Sequence, residues 1–258
     1  MKITVLTENT AGRNCLAEFG LSYLIDADKK ILFDTGNSDV FMLNAQRLKI
    51  SLDDVDTVVL SHGHWDHGNG LKFFGNKPLL THPQSFQKRY NKKDNRYIGL
   101  DQTYEELSSN YKVITSRGPY PISPEITFLG EIPRSNDFEA NHTYFTLEDG
   151  KDDYVIDDSG LVVSTGNGLV VITGCAHSGV CNMVEYACKI TGIEKVLAVF
   201  GGFHLKADNE VTHKTIEYLK HKGVERVYPS HCTSFPALAA FNREFKFFQV
   251  LTGDFFYF

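Results

Sequence analysis

The stretch that most constrains this chain runs from residue 58 to residue 70 and reads VVLSHGHWDHGNG. Its first three residues form a short apolar run that is typical of the end of a buried strand. The next positions hold three histidines and an aspartate, namely His62, His64, Asp66 and His67. Side chains two residues apart do not share a helix face, so this pattern differs from the helical histidine pair of zinc proteases. We therefore predict a loop that turns these four side chains toward a common centre.

The residue types in this loop indicate a transition-metal site. Imidazole suits zinc, iron and nickel, and a carboxylate adds a hard oxygen ligand. Gly63, Gly68 and Gly70 let the backbone approach the centre closely. A solvated polar loop is the alternative, but it gives no reason for three histidines and an aspartate at this density.

Composition narrows the class of protein. The chain has 258 residues, 42% of them hydrophobic and 22% charged, which is typical of a globular protein with a sizeable core. The net charge of −6 argues against general nucleic-acid binding, which needs a basic surface. No apolar run is long enough to span a membrane, and the first residues lack the features of a signal peptide. Five cysteines without a C-x-x-C motif indicate reduced thiols, so we expect a cytoplasmic protein.

The string SHGHWDHGNG, residues 61–70, resembles the H-x-H-x-D-H signature of the metallo-β-lactamase-fold hydrolases. In that family the histidines and the aspartate of the signature bind two adjacent metals, which implies this role for His62, His64, Asp66 and His67. Periodicity alone supports only a mixed α and β chain with several strands. The resemblance implies more, an α/β (α+β) fold arranged as a four-layer αββα sandwich.

Three further positions gain a role from the same resemblance. His177 follows a predicted strand in a G-x-x-H segment, and the resemblance implies that it completes the first metal's set with His62 and His64. His231 follows the strand at 226–228, and is implied to bind the second metal with Asp66 and His67. Asp34 in LFDTG is implied to support the metal site without binding the ion. A ligand histidine needs such a partner, because its other ring N–H must be held by a carboxylate or a carbonyl. Asp34 can also be a turn or N-cap residue, and the two roles are compatible.

The chain departs from the family pattern after the predicted strand at 195–200. Many relatives place a bridging aspartate there, whereas this chain has GGFHL and no acid. His204 is the candidate substitute, either as a metal ligand or as a catalytic residue that contacts substrate. Cys175 and Cys232 are not readily assigned to the core, because each lies beside a candidate ligand histidine.

The predicted cofactor is a pair of divalent metal ions. Zinc is the preferred identity, with manganese, iron or magnesium as alternatives. Such a pair activates water, and we expect hydrolysis of an ester or phosphoester in a small anionic or phosphorylated substrate. Asp66 is the nearest carboxylate and is assigned to orient the water or shuttle a proton. Three alternatives stay open: a transferase that joins a pterin diphosphate to an arylamine-type acceptor, a di-iron redox protein, and a non-catalytic metal-binding domain.

Several segments resemble one branch of the family, the 7,8-dihydropterin-6-methyl-4-(β-D-ribofuranosyl)aminobenzene 5′-phosphate synthases. These segments are Thr7-Glu8-Asn9-Thr10, E-x-G-L-S at 18–22, TGCAHSG, GGFHL and PSHCT. Together they extend from residue 3 to about residue 233. Phe19 departs from the histidine expected in the E-x-G-L-S segment.

The chain is predicted to form a single domain over residues 1–258, with a lid or specificity insertion at about 83–150. Four prolines between residues 119 and 133 interrupt any longer element there, and long connections within a domain are often binding loops. A short helix is expected at 84–90, after Pro83, followed by a solvated loop at 91–96.

Overall fold

Alternating and continuous apolar runs form the strands of three sheets in the computed structural model, which describes residues 1–258. The strands are β1 (Lys2–Thr7), β2 (Ser22–Asp26), β3 (Lys30–Phe33), β4 (Thr57–Val59), β5 (Pro78–Thr81), β6 (Arg89–Asn91), β7 (Lys112–Thr115), β8 (Tyr120–Pro121), β9 (Ile126–Phe128), β10 (Phe145–Leu147), β11 (Asp152–Asp153), β12 (Gly160–Thr165), β13 (Gly168–Thr173), β14 (Val196–Gly202), β15 (Arg226–Ser230) and β16 (Phe255–Tyr257). The α-helices are α1 (Val40–Arg47), α2 (Trp65–Gly68), α3 (Tyr104–Asn110), α4 (Val180–Thr191), α5 (Glu210–His221) and α6 (Phe235–Phe245).

The chain divides into two compact units, and the first comprises Met1–Arg117, His142–Asp157 and Leu251–Tyr257. Its seven-stranded sheet has the order β16-β1-β2-β3-β4-β5-β7, in which β3, β4, β5 and β7 run parallel. A three-stranded sheet, β11-β10-β6, belongs to the same unit. Helix α1 buries Phe41 and Ala45 in the core of this unit, among the leucines and valines of the parallel strands.

The second unit comprises Gly118–Asn141, Asp158–Val250 and Phe258. Its six-stranded sheet has the order β15-β14-β13-β12-β9-β8, with β13, β14 and β15 parallel. These three strands are nearly all buried, as expected for parallel strands covered by helices. Helix α4 packs through Met183, Val184 and Ala187, three positions on the face predicted by its apolar spacing.

The topology places candidate ligands at strand ends. His62 follows β4 in the first unit. In the second unit His177, His204 and His231 follow β13, β14 and β15 in turn. Because these three strands are parallel neighbours, their carboxyl ends meet at one edge of the sheet, the edge at which α/β proteins commonly bind ligands.

The local predictions have mixed outcomes. A Gly-Asn-Gly turn at 166–168 between two apolar runs predicts the hairpin of β12 and β13, which is confirmed. The apolar spacing after residue 180 predicts α4, and the polar run at about 210–222 predicts α5; both helices are confirmed. The helix predicted at 84–90 is wrong: the segment is a turn that leads into β6, because Arg89 is drawn into a buried ion pair and β6 pairs with β10. Asp66 and His67 lie in the one-turn helix α2 rather than in an open loop. Helices α3 and α6 were not predicted.

The segment 83–150 is divided between the two units, with residues 118–141 in the second and the remainder in the first. Its role as a lid or specificity insertion, and the assignment of the chain to a single domain, stay predictions. None of the helices combines the length and apolar character that crossing a bilayer requires.

Candidate metal centre

The histidine loop of the first unit, residues 61–67, brings its side chains together after β4. His62 Nε2 lies 2.9 Å from His64 Nδ1, and the rings of His62 and His67 are 4.2 Å apart between centroids. Asp66 Oδ2 lies 3.9 Å from His67 Nε2. All four side chains are buried. The convergence predicted for these residues is therefore present within this unit.

The Asp34 carboxylate positions this loop by accepting hydrogen bonds from it. Its Oδ2 accepts hydrogen bonds from His67 Nδ1 and Ser61 Oγ, both at 2.7 Å, and its Oδ1 accepts from the Ser61 backbone N–H at 2.7 Å. The Ser61 hydroxyl proton points at Asp34, so Ser61 Oγ accepts from His62 Nδ1 at 2.9 Å. Both rings thus carry their proton on Nδ1. The Nε2 lone pairs of His62 and His67 are left to bind an ion, as ligand histidines require.

A buried ion pair anchors the same loop from another side. The Gly63 N–H donates to Asp157 Oδ2 at 2.8 Å, and Arg89 Nη2 donates to Asp157 Oδ1 at 2.9 Å. Arg89 and Asp157 are fully buried, and Asp153 lies 3.5 Å from Arg89 Nε. Burial acts to lower the pKa of Arg89, but the charges of Asp157 and Asp153 outweigh it. The pKa is therefore raised above its usual value, and the guanidinium stays charged. A side chain on Gly63 would place its Cβ 1.8 Å from the Ser85 carbonyl oxygen, so only glycine fits between the two histidines.

The second unit contains its own group of potential ligands at the ends of β13, β14 and β15. The ligand atoms of Cys175, His177 and His204 lie within 4.8 Å of one another, and so do those of Cys175, His231 and Cys232. We call these five residues the Cys/His group. His204 and His231 have φ angles of 49° and 50°, in the left-handed region. Non-glycine residues rarely adopt it, and such backbone strain is concentrated at functional sites.

Two carboxylates hold the segment that carries His177. Asp158 Oδ2 accepts from the Ser178 N–H at 2.8 Å, and Glu139 accepts from the N–H groups of Cys181 and Asn182 at 2.9 and 3.0 Å. Glu139 thereby satisfies amides at the start of α4. Burial raises the pKa of Glu139, and the hydrogen bonds it accepts act in the opposite direction.

The Cys232 thiol lies in a polar environment despite its burial. Its Sγ is 3.3 Å from the His204 backbone nitrogen and 3.5 Å from the Cys175 carbonyl oxygen. Burial acts to raise the pKa of Cys232, but interactions with Cys175, His204 and His231 bring it well below its usual value. A lowered thiol pKa is typical of cysteines beside histidines.

The donor sets in both units fit a transition metal. Zinc binds imidazole nitrogens at about 2.0–2.1 Å, so two nitrogens on one tetrahedral ion are about 3.3 Å apart. The 2.9 Å between His62 Nε2 and His64 Nδ1 is close to that spacing. Nitrogen and sulfur donors favour zinc or iron over magnesium, which prefers oxygen.

Sequence reasoning missed the residues that support these loops, namely Arg89, Glu139, Asp157 and Asp158. Asp157 is separated from Gly63 by 94 positions, and no motif links the two. The only available signal is the pair of adjacent aspartates before an apolar hairpin. Arg89 falls in the segment predicted to be a short helix, and nothing in that pattern marks it as buried.

Comparisons with known proteins identify the family. A sequence model of the metallo-β-lactamase superfamily matches residues 16–82. The 7,8-dihydropterin-6-methyl-4-(β-D-ribofuranosyl)-aminobenzene-5′-phosphate synthase of Methanocaldococcus jannaschii is 37% identical, over 95% of this chain and 92% of its own. A second protein of that archaeon, of uncharacterised function, is 35% identical over 93% and 94%.

Among solved structures, the crystal structure of Tm1679, described as a metal-dependent hydrolase of the β-lactamase superfamily, aligns with a TM-score of 0.89. It is 32% identical in sequence, and the alignment covers 100% of this chain and 99% of the other. The predicted fold class is therefore confirmed. The extent of these matches, together with the histidine signature, shows that this chain belongs to the metallo-β-lactamase superfamily.

Proposed function

We propose that the protein is a metal-dependent transferase that joins a pterin diphosphate to an arylamine-type acceptor. The similarity to the dihydropterin synthase carries this proposal, because it extends over 95% of the chain and is not confined to the histidine signature. The branch-specific segments TGCAHSG, GGFHL and PSHCT add support. In the second unit these segments supply every member of the Cys/His group.

We assign two divalent ions to ligands from both units, zinc first, with manganese, iron or magnesium as alternatives. The first ion takes His62, His64 and His177, and the second takes Asp66, His67 and His231. When bound, a pair of such ions neutralises the negative charge of a diphosphate leaving group. The donor chemistry of each unit supports this assignment, since imidazoles supply most of the donors in both.

The surrounding residues set the protonation of the site. Asp34 holds the proton of His67 on Nδ1, and Ser61 does the same for His62, so both rings keep their Nε2 lone pairs for an ion. In the transfer, the carbon–nitrogen bond forms while the bond between the methylene carbon and the diphosphate oxygen breaks. We assign Asp66 to accept the proton that the amine releases. His204 is assigned to contact the departing diphosphate.

Product analysis tests this proposal. The purified protein would be supplied with a divalent ion and a dihydropterin methyl diphosphate, with or without an aminobenzene ribofuranoside phosphate, and the products identified by mass spectrometry. We expect a coupled product and free diphosphate only when the acceptor is present. An Asp66→Asn variant, which cannot take up the proton, should lose coupling. Release of hydroxymethyl pterin at the same rate with and without acceptor would contradict the transferase proposal.

Hydrolysis by metal-activated water is the second candidate. Its support is the similarity to Tm1679, a protein described as a metal-dependent hydrolase that aligns over the whole chain. A generic phosphodiester provides the test: turnover that is lost on metal removal and in His64→Ala would favour this candidate over the transferase. Equal turnover in a metal-stripped preparation would contradict both candidates.

The expected substrate is a small anionic or phosphorylated molecule, because two cations attract negative charge. The net charge of −6 argues against nucleic acid as the substrate. Cytoplasmic location stays a prediction that rests on the reduced cysteines. The di-iron redox alternative would be distinguished by metal analysis and an optical spectrum.

A further inference from the structure

Cys175 occupies a central place in the Cys/His group of the second unit. It is the one residue that belongs to both clusters, grouped with His177 and His204 in the first and with His231 and Cys232 in the second. His177 and His231 are the ligands assigned above to different ions. The Cys175 sulfur thus lies within 4.8 Å of a ligand atom from each set.

The backbone leaves room for sulfur at this position. Gly202 ends β14, and a Cβ built on it would lie 2.6 Å from Cys232 Sγ and 3.2 Å from Cys175 Cα. The Gly202 N–H also donates to the Gly174 carbonyl at 3.0 Å, which ties the end of β14 to the segment that carries Cys175. The same Cβ would lie 2.5 Å from the Gly174 carbonyl oxygen, so a larger residue at 202 would have to displace backbone of this segment or the Cys232 sulfur.

The chemistry of the strand ends explains why a thiolate suits this place. Residues 200–205 contain no carboxylate that could join two ions, since they read FGGFHL. Cys175 lies directly beside this segment. Thiolate sulfur binds zinc and iron strongly, and it can donate to two ions at once.

We propose that the Cys175 thiolate is a metal ligand shared between the two ions of the site. This inference rests on the metal assignment made under the proposed function. On binding, the Cys175 thiol loses its proton to solvent as the sulfur–metal bond forms, so metal uptake releases a proton at this residue. The site is thereby suited to zinc, cobalt or iron, and a magnesium ion binds it poorly.

The other buried cysteines provide controls. Cys181 and Cys188 lie on α4, and each sulfur is 4.0 Å from a backbone carbonyl, of Thr215 and Glu194 respectively. Both belong to the apolar core of the second unit. Substituting Cys188 by serine therefore changes a buried thiol without altering any proposed ligand.

Cobalt substitution tests the proposal without an activity assay. The metal-free protein would be titrated with Co²⁺ while visible d–d bands report binding and near-ultraviolet sulfur-to-cobalt charge-transfer bands report thiolate ligation. A shared thiolate predicts that charge-transfer absorbance rises with both the first and the second equivalent. Cys175→Ser and Cys175→Ala should keep the d–d bands and lose the charge-transfer bands, whereas Cys188→Ser should match the wild type.

The outcomes separate this inference from the proposed function. Absence of any d–d band in the wild type would show that no site forms, and both proposals would fail. Strong d–d bands without charge-transfer bands would leave the metal site intact and overturn the role of Cys175. Bands that persist in Cys175→Ser but vanish in Cys232→Ser would also overturn it, in favour of Cys232. A rise with only one equivalent would overturn the sharing.

Discussion

The histidine loop of the first unit and the Cys/His group of the second differ in what supports their imidazoles. In the loop, Asp34 bonds directly to His67 and reaches His62 through Ser61. The Cys/His group instead consists of three imidazoles and two thiols. The first unit therefore supplies nitrogens whose protonation is set by a carboxylate, and the second supplies softer donors. We infer that the two groups of residues offer different donor chemistry to a metal ion.

The two regions resemble each other in how their backbones are held. Asp157 accepts from Gly63, between two candidate ligand histidines, and Asp158 accepts from Ser178, next to His177. Consecutive aspartates thus each anchor one histidine segment. Arg89 fixes Asp157 in turn through a fully buried ion pair. The loops differ in donors but share this use of buried carboxylates.

The largest expected effect follows removal of a proposed metal ligand from the first unit. His64→Ala should lower activity by about 10³-fold or more, because the activation of the nucleophile or leaving group depends on the ion. Metal content and turnover would be measured together. His213→Ala is the matched control, since His213 is exposed and pairs only with surface Asp208. Full activity in His64→Ala would show that the loop is not a ligand set.

The next effect concerns the anchor of the loop. Asp157→Asn leaves the Arg89 guanidinium buried with Asp153 alone, which we expect to cost about 3 kcal/mol in the free energy of unfolding. Chemical denaturation measures this change. Glu148→Gln breaks the neighbouring exposed pair with Lys88 and should cost far less, because water and salt screen that pair. Equal losses of unfolding free energy in the two variants would show that the buried pair contributes no more to stability than the exposed pair.

Asp34→Asn tests the difference in donors between the units. An amide at this position cannot accept every hydrogen bond that Asp34 now accepts, so the proton on His67 is free to move to Nε2. We expect a loss of about 10–100-fold in metal affinity, measured by titration against a competing chelator. Asp39→Asn serves as the control, because Asp39 makes no side-chain cap bond at α1. Unchanged metal affinity in Asp34→Asn would contradict the proposal that a carboxylate sets the protonation of the imidazoles in the first unit.

A smaller effect is expected from the backbone of the loop. Gly63→Ala places a methyl group against the Ser85 carbonyl, and we expect a loss of about 1–3 kcal/mol in stability. Gly166→Ala makes the same change in the hairpin turn, where nothing lies within 4 Å, and should change stability by less than about 0.5 kcal/mol. Thermal unfolding of both variants compares them. Similar melting temperatures would show that the loop adapts easily.

Local patterns in the sequence predict much of this structure. The apolar runs that become β4, β12, β13 and β14 are recognisable, and so is the amphipathic face of α4. The density of histidines marks the loop at 62–67 without any structural knowledge. These features depend on residues close together in the chain, which is why a sequence reveals them.

The supporting contacts could not be predicted because they join distant residues. Arg89 lies in a segment with no motif, yet it is fully buried against Asp157, 68 positions away. The sharing of Cys175 between two clusters depends on how β13, β14 and β15 align, which no spacing in the sequence encodes. Asp34 is the exception, because the resemblance of LFDTG to the family predicts that it supports the candidate metal site.

Metal stoichiometry tests the central claim most directly, which is that histidines from both units bind two divalent ions. The protein and its His177→Ala and His231→Ala variants would be loaded with zinc, freed of excess ion and analysed by mass spectrometry of the metal. We predict two ions for each chain of the wild type and one for each variant. Two ions retained in both variants, or none in the wild type, would contradict the account.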